Sequence, residues 1–168
     1  MRYILFIATL SLLTSCWPSS VSFIDGSMPE EWQSFYISNL KNTAPNAPLS
    51  YPMDLSEKIK DGIQNGTRLT LSPTPKDAEV VIEGSVVNYS VVPIALQEGE
   101  NAAQNKLTIT ASFEIFISAP EEDKMTVTST RFTTFESSQD LSSVEATLLE
   151  EINDQIVQDL ISKLLSNW

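Results

Sequence analysis

The residue with the most distinctive chemistry is Cys16, the single cysteine of a 168-residue chain that contains no histidine. One thiol cannot form an intramolecular disulfide, and a catalytic thiolate or a zinc site would require histidine or further cysteine residues. Cys16 instead closes the sequence Leu13-Thr14-Ser15-Cys16. A branched apolar residue, two small residues and a cysteine form the pattern of a bacterial lipobox, in which the sulfur accepts a diacylglycerol before signal-peptide cleavage. The pattern predicts that Cys16 is the acylated N-terminus of the mature protein.

The residues that precede Cys16 have the composition of a signal peptide. Arg2 supplies the positive charge, and residues 3–13 form an apolar segment that is too short to span a bilayer. We therefore predict a lipoprotein signal peptide over residues 1–15, followed by an acylated, Ser- and Pro-containing tether over residues 16–30. The alternative is an ordinary secretory signal followed by a cysteine without a role.

An acylated Cys16 would fix the protein to a membrane. Each buried methylene of an acyl chain contributes ~0.8 kcal/mol, so two or three chains give durable anchoring. Residue 17 is Trp rather than the Asp of an inner-membrane retention signal, and residues 17–23 lack the acidic cluster of some surface-exported lipoproteins. The predicted location is the bacterial outer membrane, lipid-anchored and facing the periplasm.

The charge balance excludes several partners. The formal net charge is −12, and loss of residues 1–15 would remove Arg2 and no acidic residue. Such a surface repels nucleic acid and anionic lipid headgroups at long range. A hydrophobic content of 42% excludes a disordered chain. About 150 residues without the signal peptide suit one domain with one core, so we predict a single domain over residues 31–168.

The hydrophobic periodicity predicts an α+β fold. Alternating residues indicate strands over 33–40, 79–92, 106–118 and 125–135, with a brief strand or edge at 68–71 and a bulge or close backbone approach at Gly84. Apolar residues at four-residue spacing predict a helix near residues 55–63 and a long one from residue 142 onward. The expected architecture is an open, mainly antiparallel sheet of about four strands with two helices packed on one face.

No other group of residues has the pattern of a catalytic site. The acidic run 121–123 falls in a predicted hairpin turn, and Glu150, Glu151 and Asp154 have the spacing of a solvated helix face. We therefore predict no enzymatic activity, no cofactor and no metal site. Four aromatic residues are expected in the core or an interface rather than in a sugar-binding platform; these are Trp32, Tyr36, Tyr89 and Trp168.

Several segments, and the order of the elements, resemble a known family. The chain is similar to a divergent branch of the LptE-family lipoproteins, which serve lipopolysaccharide assembly. The matching segments cover most of residues 20–168 and are "EGSVVNYSVVPIALQ", "NAAQNKLTIT", "FEIFIS" and "LSSVEATLLEEINDQIVQDLISKLLSNW". None of them is a catalytic signature, so the resemblance is one of overall pattern.

The resemblance implies a domain that sits in the lumen of a large outer-membrane β-barrel, LptD, and helps lipopolysaccharide reach the outer leaflet. Lipopolysaccharide is polyanionic, so the cations near the third and fourth strands are the candidate binding residues: Lys106, Lys124 and Arg131. The alternative is that these three are solvated surface charges. The alternative function is a free-standing lipoprotein that binds a glycan or a lipid.

The predicted contact surface with the barrel is the water-facing side of the sheet together with the loop tips. It comprises the 95–105 loop, the 121–124 turn, and Thr126, Thr128 and Arg131. The lumen of an outer-membrane barrel is polar, so a hydrophilic face can dock there without exposing apolar surface. The two helices are expected to serve the core.

Overall fold

The computed structural model describes residues 28–94 and 104–166. The predicted signal peptide, Cys16, nearly all of the tether, most of the 95–105 loop and Trp168 lie outside the described residues. In chain order the elements are β1 Ser34–Ile37, β2 Lys41–Asn42, α1 Tyr51–Gly66, β3 Thr70–Leu71, β4 Val80–Ile94, β5 Gln104–Ile117, β6 Asp123–Glu136 and α2 Leu141–Ser166. The predicted α+β class with two helices is confirmed.

The sheet contains six strands in the described chain, rather than about four. The order is β3-β1-β4-β5-β6, and β2 pairs with β4 above β1. The three long strands β4, β5 and β6 are antiparallel, whereas the short strands pair in parallel. The predicted strand 33–40 ends at Ile37, and the chain pairs again with β4 at Lys41 and Asn42. The extra strands are therefore two-residue segments at the margin of a sheet that is mainly antiparallel.

One face of the sheet and the two helices share a hydrophobic core. Every inward-facing residue of β5 from Leu107 to Ile117 is buried, which confirms the predicted alternation. The buried stripe of α2 follows the predicted four-residue spacing and consists of Leu148, Ile152, Ile156, Leu160 and Leu164. None of the helices in the described part of the chain is long and apolar enough to cross a membrane.

Two glycines mark places where backbone approaches a neighbour closely. A Cβ on Gly84 would lie 2.7 Å from Phe113 Cδ1 and 2.8 Å from Leu40 Cδ2, which confirms the predicted close approach. The bulge lies three residues later, where the pairing of β4 with β5 shifts between Val86 and Asn88. A Cβ on Gly62 in α1 would lie 2.3 Å from Val157 Cγ1 in α2, so the two helices meet at this glycine.

The N-terminal segment of the described chain is fixed at one end of the sheet, which we call the base. The base contains the start of β4 and the β5–β6 turn. Trp32 Nε1 donates a hydrogen bond of 2.7 Å to the carbonyl oxygen of Ala119 in that turn. The Arg68 guanidinium donates to the carbonyl oxygens of Met28 and Pro29. The segment that follows the predicted tether therefore joins the domain at the base.

Candidate functional site

The candidate site is the side of β4, β5 and β6 opposite the helices, which we call the open face. Its residues alternate with the buried ones, and those of β5 and β6 are half-buried or exposed. The strand register aligns them in rows of three across the sheet. From the base upward the rows are Val81, Phe116, Lys124; Glu83, Glu114, Thr126; Ser85, Ser112, Thr128; Asn88, Thr110, Thr130; Ser90, Thr108, Phe132; and Val92, Lys106, Thr134.

The centre of the open face is an uncharged array that consists of hydroxyl and amide groups except for Phe132 at its upper corner. It spans three strands and three rows, roughly 10 Å by 13 Å at ordinary strand and residue spacings. Thr110 Oγ1 and Thr130 Oγ1 lie 3.0 Å apart, and Asn88 Nδ2 donates to Ser90 Oγ at 3.2 Å. A hydroxyl has one donor and two acceptor positions, so the array retains capacity for further hydrogen bonds. The surface suits a polar, uncharged partner, because docking there would desolvate no formal charge.

Lys106 and Lys124 lie at opposite ends of the open face, and each stacks on a phenylalanine. Lys106 Nζ is 5.4 Å from the centroid of the Phe132 ring, and Lys124 Nζ is 5.0 Å from that of Phe116. Lys106 and Phe116 are ten residues apart on β5, which corresponds to roughly 33 Å. The two ammonium groups therefore cannot converge on one phosphate.

The surroundings of Lys124 are acidic. Its Nζ lies 2.7 Å from Glu114 Oε1, and the side chain lines a groove of about 540 Å³ at the base, whose other charged residues are Lys76 and three acids, Glu79, Glu122 and Asp123. In the next row Glu83 and Glu114 are directly opposite each other, and like charges in that arrangement repel. The Lys124 ammonium is therefore largely compensated by neighbouring carboxylates.

Arg131 lies on the helix-covered face, so its predicted place on the water-facing side is wrong. It has the same inward orientation as the buried residues Met125 and Phe135. Its Nε donates to Asp159 Oδ2 of α2 at 2.8 Å, and Ser129 Oγ donates to the same carboxylate at 2.5 Å. The hydrogen bond from Arg131 holds the pKa of Asp159 below its ordinary value. Arg131 thus fastens α2 to the sheet, and the structure does not bring it together with Lys106 or Lys124.

A buried polar network positions the helices over the upper sheet. The Tyr51 hydroxyl donates to Asn153 Oδ1 at 2.8 Å, and the Tyr89 hydroxyl donates to the Glu145 carboxylate. The two tyrosine rings are edge to face with centroids 6.0 Å apart. Burial raises the pKa of both hydroxyls, so they remain protonated donors. Tyr89 and Trp32 are buried, which confirms their predicted core position.

Sequence reasoning missed two aromatic residues of the open face. Phe132 is 57% exposed, and Phe116 is half-buried beneath Lys124. Both continue the period-two alternation of β5 and β6, so extending that alternation would have found them. The outward-facing residues of β4 could not be found in this way. Odd-numbered residues face outward before the bulge, and even-numbered residues face outward after it.

The acidic residues considered for catalysis are dispersed. Residues 121–123 are exposed in the β5–β6 turn, as are Glu150, Glu151 and Asp154 along α2. Asp154 pairs with Lys58 of α1 at 2.9 Å, and Glu151 accepts a hydrogen bond from Thr133. Within residues 28–94 and 104–166, no group of three or more metal-binding side chains occurs.

Comparisons with known proteins identify similar sequences and folds. The model of the LptE family, described as lipopolysaccharide-assembly, matches residues 32–164. No curated protein sequence matches the chain significantly. Among solved structures, lipoprotein B from Nitrosomonas europaea is 16% identical with a TM-score of 0.53, and 85% of this chain and 86% of that chain are covered.

Two further solved structures have a similar fold. The hypothetical protein CT253 from Chlamydia trachomatis is 11% identical with a TM-score of 0.55, covering 81% of this chain and 99% of that chain. A minor lipoprotein from Acinetobacter baumannii is 15% identical with a TM-score of 0.52, covering 83% and 95%. At these identities the likeness concerns the fold alone.

Proposed function

Because the chain belongs to the LptE family of lipopolysaccharide-assembly lipoproteins, we propose that it is the outer-membrane lipoprotein subunit that plugs and supports an LptD-type β-barrel. The proposed role is one of assembly and contact, without catalysis. It accounts for a sheet face whose central rows consist mainly of hydroxyl and amide groups and carry no formal charge. A small-molecule site would instead be concave and mostly apolar.

The open face is the observation that carries the proposal. The lumen of an outer-membrane barrel is polar, and the centre of the open face offers hydroxyl and amide groups. Hydrogen bonds to a luminal wall would replace those to water, so docking leaves few polar groups unsatisfied. The net charge of the chain is −12. If the chain docked through a charged part of its surface instead, many of these charges would lose their hydration on entering the lumen.

The proposed contact with lipopolysaccharide rests on single cations rather than on a shared phosphate site. Lys106 is the best placed of the three candidates, since in the described chain its ammonium group stacks on Phe132 and is in no salt bridge. Lys124 is compensated by Glu114, and Arg131 is bound to Asp159. We therefore expect Lys106→Gln to weaken any binding of lipopolysaccharide to the isolated protein more than Arg131→Gln or Lys124→Gln does, as measured by the retention of labelled lipopolysaccharide. Equal retention by all three variants would contradict this assignment.

The proposed attachment to the outer membrane rests on acylation of Cys16. Mass spectrometry of the mature N-terminus should find an acylated Cys16, together with fractionation to the outer membrane. An unmodified amine at a residue other than 16 would contradict the predicted anchor. The 12 Cα-to-Cα steps from Cys16 to Met28 span at most roughly 43 Å, so the base would remain within about that distance of the membrane.

Two experiments test the barrel contact. Detergent extraction followed by affinity isolation of the full chain should recover one large barrel protein in stoichiometric amount. Absence of such a protein would favour the alternative, a free-standing lipoprotein that binds a glycan or a lipid. Photo-crosslinkers at Thr128 and Thr110 should capture the barrel, whereas those at Glu150 and Asp154, which are exposed on α2, should not. Capture from α2 alone would reverse the proposed orientation.

A further inference from the structure

The upper half of β4 is a sheet edge with no strand beside it in the described part of the chain. On the side opposite β5, β1 pairs with residues 80–82 and β2 with Ser85 and Val86. The last hydrogen bonds on that side run from Thr43 to the carbonyl oxygen of Val86. Val87 is the bulge residue without a partner in β5, and from Asn88 to Ile94 β4 pairs with β5 alone among the described strands. Because alternate residues of a strand direct their backbone groups to the same side, about four of these eight residues direct theirs outward.

This segment carries no charge and exposes three valines. Val87, Val91 and Val92 are 41%, 37% and 43% exposed, and no charged residue occurs from Gly84 to Ile94. The start of α1 lies beside it, because the Tyr51 ring is 6.0 Å from that of Tyr89. Leu49 and Met53, each two residues from Tyr51, are also exposed. An exposed, uncharged edge rich in valine is a template for pairing with another strand.

The other two edges of the sheet are protected in ways that natural sheets commonly use. β3 is only two residues long. β6 carries the inward-pointing charge of Arg131. Its inward-facing Arg131 and Thr133 donate hydrogen bonds to Asp159 and Glu151 of α2. Inward-pointing charges and a covering helix both discourage strand addition. The upper half of β4 has neither device, so it is distinguished from the other edges by sequence and by structure.

We infer that residues 87–94 form a strand-addition site for an extended, uncharged segment of the barrel partner. The inference rests on the proposed function for the identity of that partner. Main-chain hydrogen bonds along β4 would supply affinity, and the exposed valines, which lie on both sides of the strand, would favour apolar side chains in the added segment. Pro93 has no N–H group, which sets the upper limit of the ladder.

The charge of the chain favours a heterologous segment over a second copy. Two copies joined at this edge would bring two net charges of −12 together, which disfavours association. The edge itself is neutral, so an uncharged segment of another protein meets no such repulsion. A second copy remains a distinct outcome of the test.

The experiment uses a photo-crosslinker at Val87 in the full-length chain, expressed with its barrel in the native envelope. The expected result is capture of the barrel polypeptide, which is lost when Val91→Lys places a charge on the edge. Leu71→Lys is the matched control, because Leu71 is an apolar edge residue with 41% exposure in β3, at the base and away from residues 87–94. The crosslinker at Thr128 reports the open face independently in each variant.

The outcomes separate the inference from the proposed function. If Thr128 captures the barrel and Val87 captures nothing, the strand-addition site is wrong and the proposed function stands. If Val87 captures another copy of the chain, the edge is a self-association surface and the inference is overturned. If neither position captures a barrel, the proposed function fails together with the inference.

A second measurement distinguishes strand addition from contact through side chains. Amide hydrogen exchange of the isolated complex should show added protection at residues 87–92 relative to the free chain. The barrel-bound Val91→Lys variant should lose this protection while the amides of β5 and β6 exchange unchanged. Unchanged exchange at residues 87–92 in the native complex would overturn the inference even if Val87 crosslinks.

Discussion

Substitution of Gly62 by alanine tests how closely the two helices approach. Alanine is ordinarily preferred to glycine inside a helix, and the exchange alone would stabilise α1 by about 0.5–1 kcal/mol. Here the new methyl group would lie 2.3 Å from Val157 Cγ1. Val157 is buried and β-branched, so it has one strongly preferred rotamer in a helix and cannot easily turn away.

The magnitude follows from two opposing terms. Overpacking of a filled core costs about 1–3 kcal/mol, which exceeds the helix-propensity gain. We therefore expect Gly62→Ala to lower the free energy of unfolding by about 1 kcal/mol. In a Val157→Ala background the offending Cγ1 is absent and the nearest original atom, Cβ, is 3.6 Å away. There the same exchange should raise stability by about 0.5–1 kcal/mol.

Urea unfolding of the chain from residue 17 onward measures both effects. With a slope of about 2 kcal/mol per molar urea, the single variant should unfold roughly 0.5 M earlier than the parent. The double variant should unfold at a higher concentration than Val157→Ala. The reversal of sign is the decisive result, since a general effect on helix propensity would have the same sign in both backgrounds. A higher midpoint in both would show that the helices do not meet at Gly62.

Three further predictions concern the core and its polar contacts. Phe113→Asp places an unpaired charge on a fully buried site and should abolish folding, so loss of the cooperative thermal transition is expected and a cooperative melt would contradict the assigned core. Tyr51→Phe removes the donor to the buried Asn153 and should cost about 1–3 kcal/mol in urea unfolding, whereas an unchanged midpoint would mean that water replaces the hydroxyl. Asp159→Asn should cost about 1 kcal/mol or less at pH 7, because this pair is partly exposed. In the folded chain the pKa of Asp159 is lowered from its ordinary value of 3.8. The extra stability of the parent over the variant is therefore fully present above pH 3.8, and it is lost as the pH falls through the lowered pKa of the folded chain. The difference in unfolding free energy between the parent and Asp159→Asn should therefore disappear in acid. A difference that is equal at pH 7 and in strong acid would refute the role of the carboxylate.

The long elements could be predicted from sequence because burial repeats along them. β5 alternates apolar and polar residues from Leu107 to Ile115, and α2 places leucine or isoleucine at every fourth position from Leu148 to Leu164. The strand Thr70–Leu71 falls within the brief strand or edge predicted at 68–71, whereas the separate strand Lys41–Asn42 could not be predicted in the same way. Two residues have no period, and their pairing depends on where tertiary structure brings β1 and β4.

The candidate site was predictable only in part, for two physical reasons. Arg131 shares its orientation with Met125, but its charge suggested water, and the compensating Asp159 lies 28 residues away in sequence. The hydroxyl residues of β5 and β6 followed from simple alternation. Those of β4 did not, because Ser85 and Asn88 both face outward although they are three positions apart, an odd spacing that simple alternation would place on opposite faces.

The bulge at Val87 also determines where the chain tolerates a change of length. Loss of one residue there would leave Val86 facing the core and Asn88 facing outward, and it would restore one-to-one pairing with β5. β5 has continuous register with β6 along its whole length, so a deletion within it would turn every following side chain to the opposite face. Insertions and deletions among related chains should therefore accumulate at this point of β4 and be excluded from β5. At the bulge, the chain can lose one residue while the same residues continue to form the buried face and the open face of the sheet.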